Sequence, residues 1–235
     1  MRYRFVDCRW SLFDPEAGRQ AYLAAHIPGA AFLDLETELS SAPGFEGRHP
    51  LPQADVFATA AGRAGIDRKT HVIAYGSPGA ERLWWLLRHF GHDACSVLVG
   101  GIEAWGGALR GGEEVVEPAV FVADERTGDT ASVDEVASRL DDPGVVLVDT
   151  RVAPRFRGEP NPIDVEPGRI PSARNAPWEE PLPPLPDGEV IAYCGSGVTA
   201  CVVLHRLWLA GRTGRLYPGS WSEWEQRPEL PRTRG

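Results

Sequence analysis

Apolar residues along this chain come in short unbroken runs rather than in alternation with polar ones. Val145-Val146-Leu147-Val148 and Val190-Ile191-Ala192-Tyr193 are clear cases, and such runs predict strands buried on both faces of a sheet. The opening Met1-Arg2-Tyr3-Arg4-Phe5-Val6-Asp7 predicts a first strand, because no apolar stretch of signal-peptide length follows its two arginines. Helical patterns lie between the strands. Ser132-Val133-Asp134-Glu135 is a capping box opening a helix to about Leu140, Asp55-Val56-Phe57-Ala58-Thr59-Ala60-Ala61 suggests another, and Gly211 stands where the helix through Leu204 and Leu209 should stop. Strands alternating with helices predict an α/β fold, a parallel sheet with helices on both faces.

The pattern occurs twice. Val6-Asp7-Cys8-Arg9 returns as Val148-Asp149-Thr150-Arg151, and Ile27-Pro28-Gly29-Ala30 as Ile170-Pro171-Ser172-Ala173. Val72-Ile73-Ala74-Tyr75 is repeated letter for letter at Val190-Ile191-Ala192-Tyr193, and Gly100-Gly101-Ile102-Glu103-Ala104-Trp105 parallels Gly219-Ser220-Trp221-Ser222-Glu223-Trp224. Turn glycines and β-branched runs recur in any α/β chain, but four matches in one order imply a duplication. The stretch from Arg110 to about Ser132 is rich in Gly, Glu, Asp and Thr and lacks helical periodicity. The expected organisation is a first domain over 1–112, a linker over 113–128 and a second domain over 129–235. The second unit is shorter, with Pro-rich Pro181-Leu182-Pro183-Pro184-Leu185-Pro186 where the first has its 55–61 helix.

Composition narrows the function classes. The 235 residues are 43% hydrophobic and 24% charged, with a formal net charge of -9 and no long basic cluster. That balance predicts a soluble, cytoplasmic protein with neither nucleic acid nor membrane as partner, and it makes any anion site local. The four cysteines, Cys8, Cys95, Cys194 and Cys201, show neither a CxxC pair nor the density of a disulfide framework, so no zinc site is expected. Cys8, Cys95 and Cys201 read as small buried hydrophobes.

Cys194 differs. It follows the strand 190–193 and opens Cys194-Gly195-Ser196-Gly197-Val198-Thr199-Ala200 before the helix of Val202, Val203 and Leu207. Glycines between a strand and a helix let consecutive N–H groups converge, and the helix N-terminus adds positive potential. A cysteine at the rim of such a cradle has its thiol pKa lowered, giving a nucleophilic thiolate. The first unit has Gly76-Ser77-Pro78-Gly79 after its matching strand and no cysteine.

The duplicated pattern, CGSGVTA and the later Trp221-Ser222-Glu223-Trp224 together resemble the two-domain rhodaneses, nearly end to end and most closely their mercaptopyruvate-using members. The resemblance implies two tandem rhodanese-like domains, the first non-catalytic and the second catalytic. It implies that Cys194 carries sulfur as a persulfide between a small anionic donor, 3-mercaptopyruvate or thiosulfate, and a cyanide or thiol acceptor, with no cofactor and no metal. Residue by residue, it makes Ser196 the loop serine, and His49, in Arg48-His49-Pro50-Leu51-Pro52, the histidine supplied by the first domain. Asp34-Leu35-Glu36 matches the acidic pair, with Glu36 where an aspartate is usual, for a Ser-His-acid relay. Arg155 matches the donor-binding arginine, whose planar fork suits an oxyanion, and Gly195, Gly197, Val198 and Thr199 complete the substrate loop. A second donor arginine is expected within 160–167, but Ile163 stands nearest to it. Asp7 and Asp149 read as structural hydrogen-bonding groups.

Two other readings compete. A cysteine phosphatase would need an arginine six residues after the nucleophile, where this chain has Ala200. A persulfide carrier or docking protein with little small-molecule turnover would fit the short second unit and the missing arginine.

Overall fold

The structure, a computed structural model, describes residues 2–235. The chain divides into two compact units. One runs to Ser41 and resumes over Leu51–Arg126; the other comprises Ala42–Pro50 and Thr127–Gly235.

In the first unit the elements are β1 (Arg2–Asp7), α1 (Ala17–Ala24), β2 (Ala31–Phe32), α2 (Ala54–Arg63), β3 (Thr70–Tyr75), α3 (Gly79–His89) and β4 (Cys95–Val97), followed by a 3-10 turn at Gly101–Ala104. The second contains α4 (Val133–Ser138), β5 (Val145–Asp149), α5 (Ala153–Phe156), β6 (Arg174–Asn175), β7 (Glu189–Tyr193), α6 (Ala200–Leu209), β8 (Gly214–Leu216) and α7 (Ser220–Trp224). Each unit holds a four-stranded parallel sheet, ordered β2-β1-β3-β4 and β6-β5-β7-β8. The fold is α/β, built twice on one plan. Met1, at the head of the expected first strand, lies outside the described residues.

The repeat extends to single hydrogen bonds. Asp7 accepts the backbone N–H and the guanidinium of Arg9, and Asp149 accepts the same two groups of Arg151. The Tyr75 hydroxyl accepts the Ile27 N–H at 3.3 Å, as that of Tyr193 accepts the Ile170 N–H at 3.2 Å. These pairs pin the turn before each short edge strand to the end of the central strand. The turns share a left-handed residue, Gly29 at φ 77° and Ser172 at φ 63°. Local capping follows the sequence: Ser132 Oγ accepts the Glu135 N–H at 3.2 Å, and Gly211, at φ 75°, closes α6. The core of the second unit gathers Leu147, Ile191, Tyr193, Tyr217, Trp221 and Trp224, all buried.

The structure departs from the expected 1–112 domain in one segment. Residues 42–50 belong to the second unit, where Gly44 and Gly47 close a turn with reciprocal backbone bonds of 3.0 and 3.1 Å. The reason is steric and specific. Gly47 lies at φ 106°, and a Cβ there would stand 2.7 Å from the Gly219 carbonyl, so only glycine lets the segment lie against 219–222. Arg48 N–H then donates to Ser222 Oγ at 2.9 Å and Gln226 Nε2 to the Gly44 carbonyl at 3.3 Å. The expected linker carries no helix or strand, and as far as Arg126 it is bonded to the first unit, for example Ala119 N–H to Gly62 O at 2.9 Å and Arg126 N–H to His89 O at 2.7 Å. Among the described residues no helix is long and apolar enough to cross a membrane.

Candidate active site

β7 is central in its sheet, and the chain leaves its end directly into Cys194. The loop from Cys194 to Thr199 is buried apart from half-buried Thr199, and α6 begins at Ala200. Gly197 takes φ 78°, and a Cβ there would lie 2.6 Å from the Pro218 carbonyl, so the tight return of the loop demands glycine. The base of the loop is held from α7: Ser220 Oγ accepts the Cys194 N–H at 3.1 Å, while Trp221 and Ser222 N–H donate to the Cys194 and Gly195 carbonyls at 3.0 and 2.9 Å. Ser220 is at φ 54°, matching Gly101 at φ 61° in the first unit. A left-handed serine costs backbone energy, and such strain collects at functional sites.

Cys194 is only 2% exposed. Burial pushes its thiol pKa up, but the Thr199 hydroxyl, the N–H groups of Ser196 and Ala200, and the Arg155 charge together bring it below the ordinary thiol value. The Ser196 N–H points at Sγ from 3.4 Å, and Thr150 and Thr199 hydroxyls lie 3.3 Å apart. Cys8 and Cys95 behave oppositely. Burial drives Cys8 well above the usual range and Cys95 up to about 12, so neither offers a thiolate near neutral pH.

His49, carried by 42–50, places Nδ1 2.7 Å from Ser196 Oγ, and both side chains are buried. Glu36 belongs to the first unit, where its carboxylate accepts the Trp10 indole N–H at 2.7 Å; Asp34 is engaged by the Thr37 N–H and hydroxyl at 2.9 and 3.0 Å. Glu36, Asp34, Arg19 and Glu113 also line a cavity of about 480 Å³ in that unit. Its lining has no cysteine, serine or histidine, and Arg19 there is ion-paired with Glu113.

Arg155 lies on α5, beside the loop. A Cβ at Gly195 would lie 2.9 and 3.4 Å from its two terminal nitrogens, and 3.1 Å from Arg48 Nη2. The segment without the expected arginine contributes Asp164 instead, which accepts hydrogen bonds from Arg155 Nε at 2.9 Å and from Arg155 Nη2. Asp164 also accepts from Arg151 at 3.3 Å and Asn161 Nδ2 at 3.0 Å. One side of the Arg155 fork is therefore occupied by protein. Arg48, Asp164, Ser220 and Ser222 had no role of their own in the sequence reading, although Arg48 and Ser222 stand within quoted motifs and Ser220 aligns with a glycine. Among the described residues no group of His, Cys, Asp and Glu is placed to hold a metal ion.

The rhodanese-like domain model matches residues 2–108 and 132–227. The chain belongs to the rhodanese family. This rhodanese-family chain is 40% identical over 256 residues to a Pseudomonas aeruginosa protein named "Probable 3-mercaptopyruvate sulfurtransferase", covering 96% of this chain and 90% of the relative. It is 32% identical to the thiosulfate sulfurtransferase of Bos taurus, over 95% of this chain and 85% of that protein. Among solved structures, the 3-mercaptopyruvate sulfotransferase SseA of Escherichia coli matches with a TM-score of 0.83 at 31% identity, covering 94% of this chain and 93% of that one. The rhodanese-family chain is a sulfurtransferase.

Proposed function

We propose that this sulfurtransferase takes sulfane sulfur from a small anionic donor, 3-mercaptopyruvate or thiosulfate, and passes it through a Cys194 persulfide to a cyanide or thiol acceptor. The observation that carries the reading is a buried cysteine whose thiol is shifted toward thiolate by the loop in which it sits.

The thiolate attacks the donor sulfur, forming the Cys194 S–S bond as the donor's own bond to that sulfur breaks. Thiosulfate leaves as sulfite and needs no proton. Mercaptopyruvate leaves as the enolate of pyruvate, so the proton of its thiol has to reach the methylene carbon. The Ser196 hydroxyl and His49 imidazole, 2.7 Å apart, are suited to carry it. Glu36 or Asp34 is the acid that the resemblance adds to this relay. Cyanide then attacks the outer sulfur, leaving as thiocyanate and restoring the thiolate. The N–H groups of the loop stabilise negative charge on the outer sulfur, and Arg155, with Gly195, Gly197, Val198 and Thr199, borders the donor position.

Mercaptopyruvate is the favoured donor, because Gly195 and Ser196 give the loop no cationic side chain of its own. The test is turnover of both donors by the purified protein, with peptide mapping of the transferred sulfur. The expected result is faster turnover of mercaptopyruvate, one added sulfur on Cys194, and none in an inactive Cys194→Ser variant. Sulfur mapped to Cys95 or Cys201, or a fully active Cys194→Ser variant, would refute the mechanism.

A further inference from the structure

The donor site as read from Arg155 alone is short of positive charge. Asp164 neutralises that arginine and fills part of its fork, and Ile163 stands where the resemblance leads one to expect a second arginine. Arg48 answers the deficit from a different segment. Its backbone is anchored by the bond to Ser222 Oγ at 2.9 Å and by the tight approach of Gly47 to Gly219, and its Nη2 lies 3.1 Å from the position a Gly195 Cβ would take. Its Nε is buried without a hydrogen-bond partner, and among the described residues its side chain has no ion pair. Burial and then the neighbouring Arg155 charge both work against its protonated form, while the negative charges of Cys194, Asp164 and Glu225 favour it.

An unpaired buried donor and two adjacent guanidiniums are each destabilising. An anion with two or more oxygens, bound between them over Gly195, relieves both.

We infer that Arg48 is the second cation of the donor site, binding the donor's oxyanion together with Arg155 and setting the preference for anionic over neutral sulfur reagents. The inference rests on the sulfur-transfer reading above for its substrate, but not for its geometry. The ligand class is a small carboxylate or sulfur oxyanion whose reacting atom reaches Cys194 while its charged group lies between the two arginines.

The test separates those two dependencies. Anionic iodoacetate and neutral iodoacetamide alkylate the same thiolate, so the ratio of their rates at Cys194, followed by peptide mass, cancels thiolate fraction and reports the local cations. Arg48→Gln in the full chain is expected to lower that ratio about tenfold, the scale of one lost charge-assisted contact. Arg48→Lys should keep most of it, since it restores the charge without the fork. In the sulfur-transfer assay Arg48→Gln should lower kcat/KM for mercaptopyruvate about tenfold, mainly through KM. An unchanged alkylation ratio in a folded Arg48→Gln protein would overturn the inference. So would equal loss of reactivity toward both reagents in Arg48→Gln and Arg48→Lys, which would mark a structural role. If the unsubstituted protein turned over neither donor, the functional reading would fail, while the alkylation ratio would still decide whether Arg48 holds anions.

Discussion

At the scale of the residue, the proposed chemistry depends on opposing effects at one sulfur atom. Burial disfavours the Cys194 thiolate, and hydrogen bonds from Thr199, Ser196 and Ala200, together with the Arg155 charge, outweigh it. The thiol therefore ionises below its ordinary pH, and the rate of persulfide formation should rise as pH climbs through that lowered pKa and then level off. Removing the Thr199 hydroxyl leaves the burial penalty in place and deletes the first of the compensating contacts. In Thr199→Val the inflection of the pH–rate curve should move to higher pH, with the rate at neutral pH down about tenfold, as expected for a lost hydrogen bond to a charged group. The rate should recover at alkaline pH. Alkylation kinetics with iodoacetamide across the pH range measure this directly, and an unmoved inflection would show that the backbone N–H groups suffice.

At the scale of the element, the duplication was legible because its carriers are local. Buried strand runs, the Asp-x-Arg pairs ending β1 and β5, and the turn residues before β2 and β6 can each be seen within a few residues of sequence. The loop that begins at Cys194 was legible for the same reason, since the strand, glycine loop and helix are contiguous. Arg48 and Asp164 were not, because their roles depend on where separate segments come to rest: Gly47 on Gly219, and Asp164 against α5. The repeat also bears on why the proposed nucleophile has no counterpart in the first unit. Gly76 occupies the position of Cys194, but at φ 91° with a Cβ that would lie 2.5 Å from the Arg9 nitrogen. Phe13 stands six residues after Asp7, as Arg155 does after Asp149, so the first unit also lacks a cation at that place. Gly76→Cys is therefore expected to destabilise the protein by roughly 1–3 kcal/mol, the cost of a side chain forced into a left-handed backbone and a close contact. The substituted loop should accept no sulfur. Thermal unfolding and sulfur mapping check both parts, and an undiminished Tm with sulfur loaded on the introduced thiol would show that the loop of the first unit adapts to a side chain.

At the scale of the whole molecule, a net charge of -9 gives no general attraction for an anionic donor, so the proposed reaction relies for recruitment on the cations around Gly195. One of the two, with the histidine beside Ser196, is carried by 42–50, whose flanking chain on both sides belongs to the other unit. A chain beginning at Thr127 would keep the whole second sheet, the 194–199 loop, Arg155, Asp164 and Ser220. It would lose Arg48 and His49. The expected outcome is a fragment whose Cys194 is still alkylated by neutral iodoacetamide but whose mercaptopyruvate turnover is lower by about a hundredfold or more, the scale of lost general acid-base help. Thiosulfate turnover should fall less, because sulfite leaves without a proton. A synthetic peptide spanning 42–50, added in excess, should restore part of the mercaptopyruvate rate, and the same peptide with His49→Ala should restore less. Circular dichroism of the fragment separates loss of fold from loss of chemistry. A folded fragment with the full rate on mercaptopyruvate would mean that neither Arg48 nor His49 takes part in the reaction.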